Sequence, residues 1–191
     1  MSQYYFLVAS LPFLSYDMEA AQSPDDFIAM AAEHLSAADY QVVSAATIDA
    51  PVELAPGPPV ITEWQRFERG LRNELVKLRA PKLGTDPAEY VRTDEAGNDD
   101  TERGGLSDSA REAVSEVSPL AGEDVLGRAR WSFLSDLEVG HFFDVDRLVV
   151  YYLQLQLIAR KRQFNTEDGK HLFTAATEKI IKDYYQEQGD L

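Results

Sequence analysis

The sequence predicts an all-α protein, a compact helical bundle of about six helices with a long acidic loop. Two observations predict it. Apolar residues recur at the i, i+3, i+4, i+7 spacing of helices, and Ser, Pro and Gly mark where those stretches begin and end. The N-terminal run Tyr4–Val8 fits a short strand as well, and we favour a helix that Pro12 ends. We expect one domain over residues 1–191 with a mobile acidic loop over residues 85–124.

The first half of the chain contains three recognisable helix starts. Ser23, followed by proline and two acidic residues, has the composition of a helix cap, and Ser36 begins a second capped turn. Four prolines between Pro51 and Pro59 predict an extended connector that no helix crosses. The stretch Trp64–Lys82 then predicts the clearest amphipathic helix, with six basic and three acidic residues between positions 63 and 82.

The second half begins with acidic chain and ends with helices. Residues 85–124 hold 12 acids and 3 arginines and lack apolar periodicity, apart from a weak helix at Ser107–Val117. Helices follow over Ala129–Glu138 and Val145–Ala159, and a last helix is expected around Leu172–Tyr184. The Val145–Ala159 helix is apolar on nearly every side. Such a helix belongs in the middle of a core or between subunits.

Composition excludes several classes of function. With 33 acidic and 18 basic residues the formal net charge is −15, which argues against nucleic-acid binding because phosphate affinity requires accumulated Lys and Arg. The absence of cysteine removes disulfides, zinc–thiolate sites and thiol nucleophiles. No apolar run approaches the roughly 18 residues of a membrane span. We expect a cytoplasmic protein without direct membrane insertion, so any association with a membrane would come through partners.

No motif indicates catalysis or a cofactor. The chain has no phosphate-binding loop, no nucleophile elbow and no His-Glu-x-x-His helix. The best metal candidate combines His141 with Asp144 and Asp146, but acids at this position are more simply explained as residues that begin the next helix. We therefore expect neither an enzyme nor a bound cofactor or metal.

Positive charge is confined to two helix ends. One helix carries Arg72, Arg79 and Lys82, and the other ends in Arg160, Lys161 and Arg162. The helix dipole accounts for about one cation per end. It leaves the concentration unexplained, since residues 147–163 hold four basic residues and no acid. Two explanations remain open: the cations meet an acidic partner, or they meet the chain's own acidic loop.

Four segments resemble a known family. They are Tyr4–Pro12 (YYFLVASLP), Leu71–Ala80 (LRNELVKLRA), Phe142–Asp144 (FFD) and Tyr151–Leu157 (YYLQLQL). They are similar to an uncharacterised bacterial family whose genes lie within operons for V/A-type ATPases. The paired helices, aligned with Arg79 on Arg160, more distantly resemble the repeated helical units of the C subunit (d in V-type enzymes). That funnel-shaped protein links the central stalk to the membrane rotor.

The resemblance implies a non-catalytic coupling or assembly subunit of a V/A-type ion-translocating ATPase. Its partners would be stalk and membrane-ring subunits. We expect the basic side chains of the two helix ends to bind them: Arg72, Arg79, Lys82, Arg160, Lys161 and Arg162. Two alternatives stay open at this point. One is a helical regulatory adaptor that docks through its acidic loop, and the other is an enzyme with an unrecognised acid site.

Overall fold

A computed structural model describes residues 4–49, 57–102 and 104–164 of the chain. Within these ranges it contains seven α-helices, two short 3-10 turns and no strand, which confirms the all-α prediction. The helices are α1 (Tyr5–Ser10), α2 (Pro24–His34), α3 (Ala37–Ala45), α4 (Pro59–Arg79), α5 (Leu106–Ser115), α6 (Pro119–Leu137) and α7 (Val145–Gln163).

Contacts divide the chain into two compact units, Met1–Ala159 and Arg160–Leu191. The prediction of a single domain over residues 1–191 is not tested by this division and stays a prediction. Most of the proline-rich connector and the predicted C-terminal helix lie outside the described residues.

The N-terminal segment is a helix rather than a strand. Helix α1 ends at Ser10 and buries Leu7, and Leu11 is extended, as expected before Pro12. A residue far away in the sequence holds the start of α1, because the Tyr4 amide donates to the Phe143 carbonyl at 2.7 Å. The hydroxyl of Tyr4 also donates to Asp39 at 2.5 Å. The first turn is therefore held by the chain before α7 and by α3.

Helices α2 and α3 begin where the serines predict. The Ser23 hydroxyl accepts from the Asp26 amide at 3.1 Å while the Asp26 carboxylate accepts from the Ser23 amide, a complete capping box. At α3 the Ser36 hydroxyl accepts from the Asp39 amide, but the Ser36 amide donates to Tyr4 instead. Each cap satisfies amide groups that a helix start leaves without a partner.

Helix α7 lies in the middle of the core. Eight of its apolar side chains are at most 4 % exposed within this single chain: Leu148, Val149, Val150, Tyr151, Leu153, Leu155, Leu157 and Ile158. Helix α4 supplies Trp64, Phe67 and Leu71, and the Phe67 ring stacks on Phe133 of α6 with centroids 4.1 Å apart. Of the two positions predicted for an all-apolar helix, the structure supports the core and not a subunit interface.

The predicted start of the helix at Ala129 needs correction. Helix α5 occupies the place of the weak helix, but α6 begins at Pro119, ten residues before the predicted Ala129, so residues 85–124 contain two helical segments. Gly122 and Gly127 lower the helix propensity of the first turns of α6, so the sequence pattern did not reveal these turns. Both permit close packing, since a Cβ at Gly122 would collide with the Ala113 carbonyl and one at Gly127 with the Tyr16 hydroxyl. Mobility of the loop stays a prediction.

A candidate partner-binding groove on helix α4

Two of the predicted binding residues share one face of α4. Arg72 and Arg79 are seven positions apart, which is close to two helical turns, so their side chains project on the same side. They line a groove of about 430 Å³. The other lining residues are mainly apolar: Leu75, Val76, Ala80, Leu83, Thr85 and Tyr90. We call this surface the α4 groove.

The turn after α4 builds the outer wall of the groove. A 3-10 turn over Pro81–Leu83 is followed by Gly84, whose φ of +73° is a left-handed conformation that glycine adopts without strain. The amide and hydroxyl of Thr85 then donate back to the Ala80 carbonyl at 3.1 and 3.2 Å. The chain therefore folds back beside the helix. Leu83 is left 78 % exposed and Tyr90 52 % exposed.

The cations at this end of α4 differ in what they contact. Arg79 and Lys82 are exposed and form no ion pair with the part of the chain that the structure describes. Arg72 is half-exposed, and its Nε donates to the Glu68 carboxylate at 3.3 Å. Arg72 is thus anchored at one end of the groove, whereas Arg79 is available to a ligand.

Glu68 connects Arg72 to the interior. This carboxylate is fully buried and accepts from Arg130 Nε at 2.5 Å and Arg130 Nη2 at 3.3 Å. Burial by itself lowers the pKa of Arg130, but attraction by Glu68 and the hydrogen bond to it outweigh that effect and raise the pKa. Among the described residues Glu68 is the one buried carboxylate, and both of its oxygens are bound by arginine. A carboxylate held in this way is poorly suited to general acid or base catalysis.

The neighbouring face of α4 holds the acidic segment. Asn73 is buried, and its side-chain amide donates to the carbonyls of Arg92 and Asp99 at 2.7 and 2.8 Å and accepts from the Arg92 amide at 2.9 Å. Arg69 Nε donates to Asp100 at 2.7 Å, and Lys77 Nζ to Asp99 at 2.9 Å. Arg69, Asn73 and Lys77 follow one another at four-residue intervals. We call these three residues the clamp.

The clamp fixes the charge state of its partners. Hydrogen bonds from Lys77 and Thr101 lower the pKa of Asp99 to about 2. For Lys77, burial lowers the pKa, but hydrogen bonds to Asp99 and Glu74 raise it overall. The clamp thus meets the chain's own acids, whereas Arg79 and Lys82 form an ion pair with none of the acids that the structure describes.

The basic end of α7 lies in the second unit. Arg160, Lys161 and Arg162 occupy the last turn of the helix, and the Arg160 guanidinium lies 5.8 Å from the centre of the Phe164 ring. That distance is within the range of a cation–π contact. The structure brings Arg72 and Arg79 together in one groove and places Lys82 in the turn that follows. Arg160, Lys161 and Arg162 belong to the other unit.

Sequence reasoning missed the apolar half of the α4 groove. Leu83 and Tyr90 are isolated apolar residues in a stretch rich in Gly, Pro and acids, so no periodicity singles them out. The signal that could have found them is the close spacing of Pro81, Gly84 and Pro87. Such spacing indicates tight turns, and tight turns keep the following residues close to the end of the helix.

The predicted metal alternative resolves into a helix cap. The Asp144 carboxylate accepts from the Arg147 amide at 3.0 Å, as a residue preceding α7 should, and it pairs with His141 Nδ1 at 2.8 Å. Asp146 lies farther off, 3.6 Å from the same nitrogen. No group of three or more His, Asp or Glu side chains with metal-binding geometry occurs among the residues described.

Comparison with family models places these features in a known group. A model described as "Protein of unknown function (DUF2764)" matches residues 57–184, about two thirds of the chain. The chain belongs to the DUF2764 family. The match spans α4 to α7 and so includes the whole α4 groove and the clamp. No curated protein and no solved structure matches this DUF2764 protein.

None of the helices described for this DUF2764 protein combines the length and the apolar character needed to cross a bilayer. The apolar residues of α7 between Leu148 and Ile158 are buried within the first unit. Contacts with other molecules have to be sought on surfaces that the fold leaves open. The α4 groove is one of them, and it carries two of the predicted binding residues, Arg72 and Arg79.

Proposed function

We propose that this DUF2764 protein is a non-catalytic coupling or assembly subunit of a V/A-type ion-translocating ATPase, and that its α4 groove binds an acidic amphipathic helix of a stalk or ring subunit. One observation carries the binding part of the proposal. Arg79 and Lys82 lie beside exposed apolar side chains and have no acidic partner in the described chain. The resemblance of Tyr4–Pro12, Leu71–Ala80 and Tyr151–Leu157 to proteins encoded in ATPase operons supports the assignment to that complex.

The chemistry of the α4 groove favours a helix with mixed character. Its apolar floor offers burial to leucine-like side chains, while the guanidinium of Arg79 offers paired donors that suit a carboxylate. A hydrogen bond to a charged group contributes about 1.5–3 kcal/mol when it is made without loss of another partner. Among the residues described, Arg79 has no ion-pair partner to lose. Arg72, already bound to Glu68, would serve to position the ligand rather than to supply most of the affinity.

The test is assembly of the complex with a charge-reversed protein. We expect Arg79→Glu to reduce recovery of ATPase subunits in a pull-down by at least about tenfold, because an attractive contact becomes a repulsive one. Arg111→Glu is the matched control. Arg111 is also an exposed helical arginine, but it lies on α5 and pairs with Asp108. Circular dichroism checks that both variants fold.

The two variants decide the proposal. Loss of ATPase subunits with Arg79→Glu and retention with Arg111→Glu support it. If the ATPase assembles and couples normally in cells that lack the protein, the coupling role is wrong, whatever the α4 groove binds.

A helical adaptor outside the motor is the second candidate, and one observation favours it. Glu95 and Glu102 are exposed in a segment that the clamp fastens to α4, so they form an ordered acidic surface. Deletion of residues 93–105 would remove Asp99 and Asp100 and disturb the fold, so the sharper test is Glu95→Lys with Glu102→Lys. Loss of partner binding in that double variant, with Arg79→Glu unaffected, would favour the adaptor over the motor subunit.

A further inference from the structure

A second cavity lies between α6, α7 and the chain that follows α1. It has a volume of about 490 Å³, within the range of sites that bind small groups. Helix α6 contributes Trp131 and Ser135 and its C-terminal cap Glu138, and α7 contributes Arg147, Tyr151 and Gln154. In both sets the three residues are spaced i, i+4, i+7, so each presents one continuous stripe to the cavity. The remaining wall is apolar: Val8, Leu11, Pro12, Phe13 and Leu14, with Ser15.

The walls of this cavity are fixed by hydrogen bonds. The Tyr151 hydroxyl donates to the Pro12 carbonyl at 3.0 Å and accepts from the Gln22 side chain at 3.0 Å. Ser135 donates to the Trp131 carbonyl at 2.9 Å and keeps its acceptor lone pairs. Phe13 is 82 % exposed beside this framework. The cavity thus has a rigid interior and an apolar side chain at its edge.

Two polar groups of the cavity are incompletely hydrogen-bonded within the described part of the chain. Gln154 is a buried residue, 4 % exposed, and its side-chain amide makes no hydrogen bond there. The amide atoms themselves are not sealed from solvent, so a ligand in the cavity can reach them. Arg147 pairs with Glu138 through Nη2 at 3.3 Å, while its buried Nη1 makes no hydrogen bond to the described residues. Neither group is used by the α4 groove.

The identities of these groups specify a ligand. A glutamine amide offers a donor and an acceptor side by side, which matches the N–H and C=O of another amide. The Glu138 carboxylate next to Arg147 disfavours a free anion, because the arginine charge is already balanced. The apolar wall accommodates an aliphatic or aromatic side chain. We propose that this cavity binds a hydrophobic side chain of a partner polypeptide together with that residue's main-chain amide, which pairs with Gln154.

The protein has two tryptophans, and they provide a local readout. Trp131 lines the cavity, whereas Trp64 is buried in the core, where its Nε1 donates to the Thr47 carbonyl. With both labelled as 5-fluorotryptophan, the two ¹⁹F resonances report on the cavity and on the core separately. The probe is N-methyl-3-methylbutanamide, which joins one secondary amide to a leucine-like isobutyl group. Its partner is methyl 3-methylbutanoate, in which the amide N–H is replaced by oxygen and no other amide is present.

We expect the amide probe to shift the Trp131 resonance, to leave Trp64 unchanged, and to bind about fivefold or more tightly than the ester, because the ester cannot complete the pair with Gln154. Gln154→Leu keeps the side-chain volume and should remove the preference for the amide. Gln41→Leu, an exposed glutamine on α3, should retain it.

The wild-type comparison stands without the variants. If neither probe moves the Trp131 resonance at tens of millimolar, or if amide and ester bind equally well to the wild-type protein, the proposal is overturned. Equal shifts of both tryptophans would also overturn it, because they would indicate a global change rather than occupancy of the cavity.

Discussion

Glu68 and Arg130 form an ion pair where most of the surrounding side chains are apolar. Moving two charges out of water costs several kcal/mol each, and the attraction between them repays this only when the geometry is good and the other oxygens are satisfied. Both conditions hold here, since Glu68 also accepts from Arg72. The pair links α4 to α6 and sets the position of Arg72 at the α4 groove. The stability of this pair and the position of Arg72 are therefore connected.

Removing one partner of the pair should lower the free energy of unfolding far more than replacing both partners with apolar residues. We expect Arg130→Met to lower the free energy of unfolding by about 3 kcal/mol, the lower end for an uncompensated buried charge, because Arg72 still contacts Glu68. Glu68→Leu combined with Arg130→Met should recover most of that loss. Urea denaturation measures both variants.

Arg128→Met is the control for this pair. Arg128 is on the same helix and pairs with Asp17 and Asp124, but its side chain is 53 % exposed, so the loss should stay below about 1 kcal/mol. If the double variant loses at least as much stability as Arg130→Met, the pair contributes net stability of its own and the argument from desolvation fails.

The clamp joins an acidic segment to a helix, and its strength depends on pH. Asp99 has a pKa of about 2 in the folded protein, below its usual 3.8. A lowered carboxylate pKa contributes stability above the unfolded value, and that contribution disappears as the pH falls through the folded value. The contact between Lys77 and Asp99 should therefore be fully present above about pH 4 and mostly lost near pH 2.

We expect Asp99→Asn to be less stable than the wild type at pH 6 and nearly equal to it at pH 2, measured by urea denaturation at both values. The substituted side chain has no charge to lose, so the difference between the two proteins reports on this carboxylate alone. Asp108→Asn provides the comparison, because Asp108 is 84 % exposed and pairs with the exposed Arg111, so its replacement should change stability at pH 6 by less than that of Asp99. An Asp99→Asn difference of equal size at both pH values would contradict this account.

At the level of helices, the sequence patterns predicted where helices lie along the chain better than they predicted which residues contact one another. The caps at Ser23 and Ser36, the helix at Tyr5–Ser10 and the α4 stripe follow from local chemistry, and the structure confirms them. The start of α6 was missed because its glycines serve close packing, a tertiary requirement invisible in a propensity pattern. Arg72 and Arg79 could be placed on one face from spacing alone. The groove between them and Tyr90 could not, because it depends on the turn after α4.

The interior of the first unit is arranged around α7. If its apolar residues were exposed, they would form a large hydrophobic patch prone to association with other molecules. In the structure, side chains from α2, α4 and α6 cover them. Two of the surfaces that remain open are the α4 groove, with its cations, and the cavity beside Gln154. Each offers a different chemistry, so the two proposed contacts are independent of one another.

Arg79 and Lys82 are a small positive site on a chain of net charge −15. In physiological salt their field is screened beyond about 8 Å, and at larger distances in dilute buffer an acidic partner meets the repulsion of the whole molecule. Association with such a partner should therefore speed up as salt is added from low concentration, the reverse of electrostatically steered complexes. Stopped-flow mixing measures this directly, and an association rate that falls with the first additions of salt would contradict it. Only encounters in which the acidic partner already faces Arg79 would overcome the repulsion. Selectivity would then arise while the two proteins approach each other, before they are in contact.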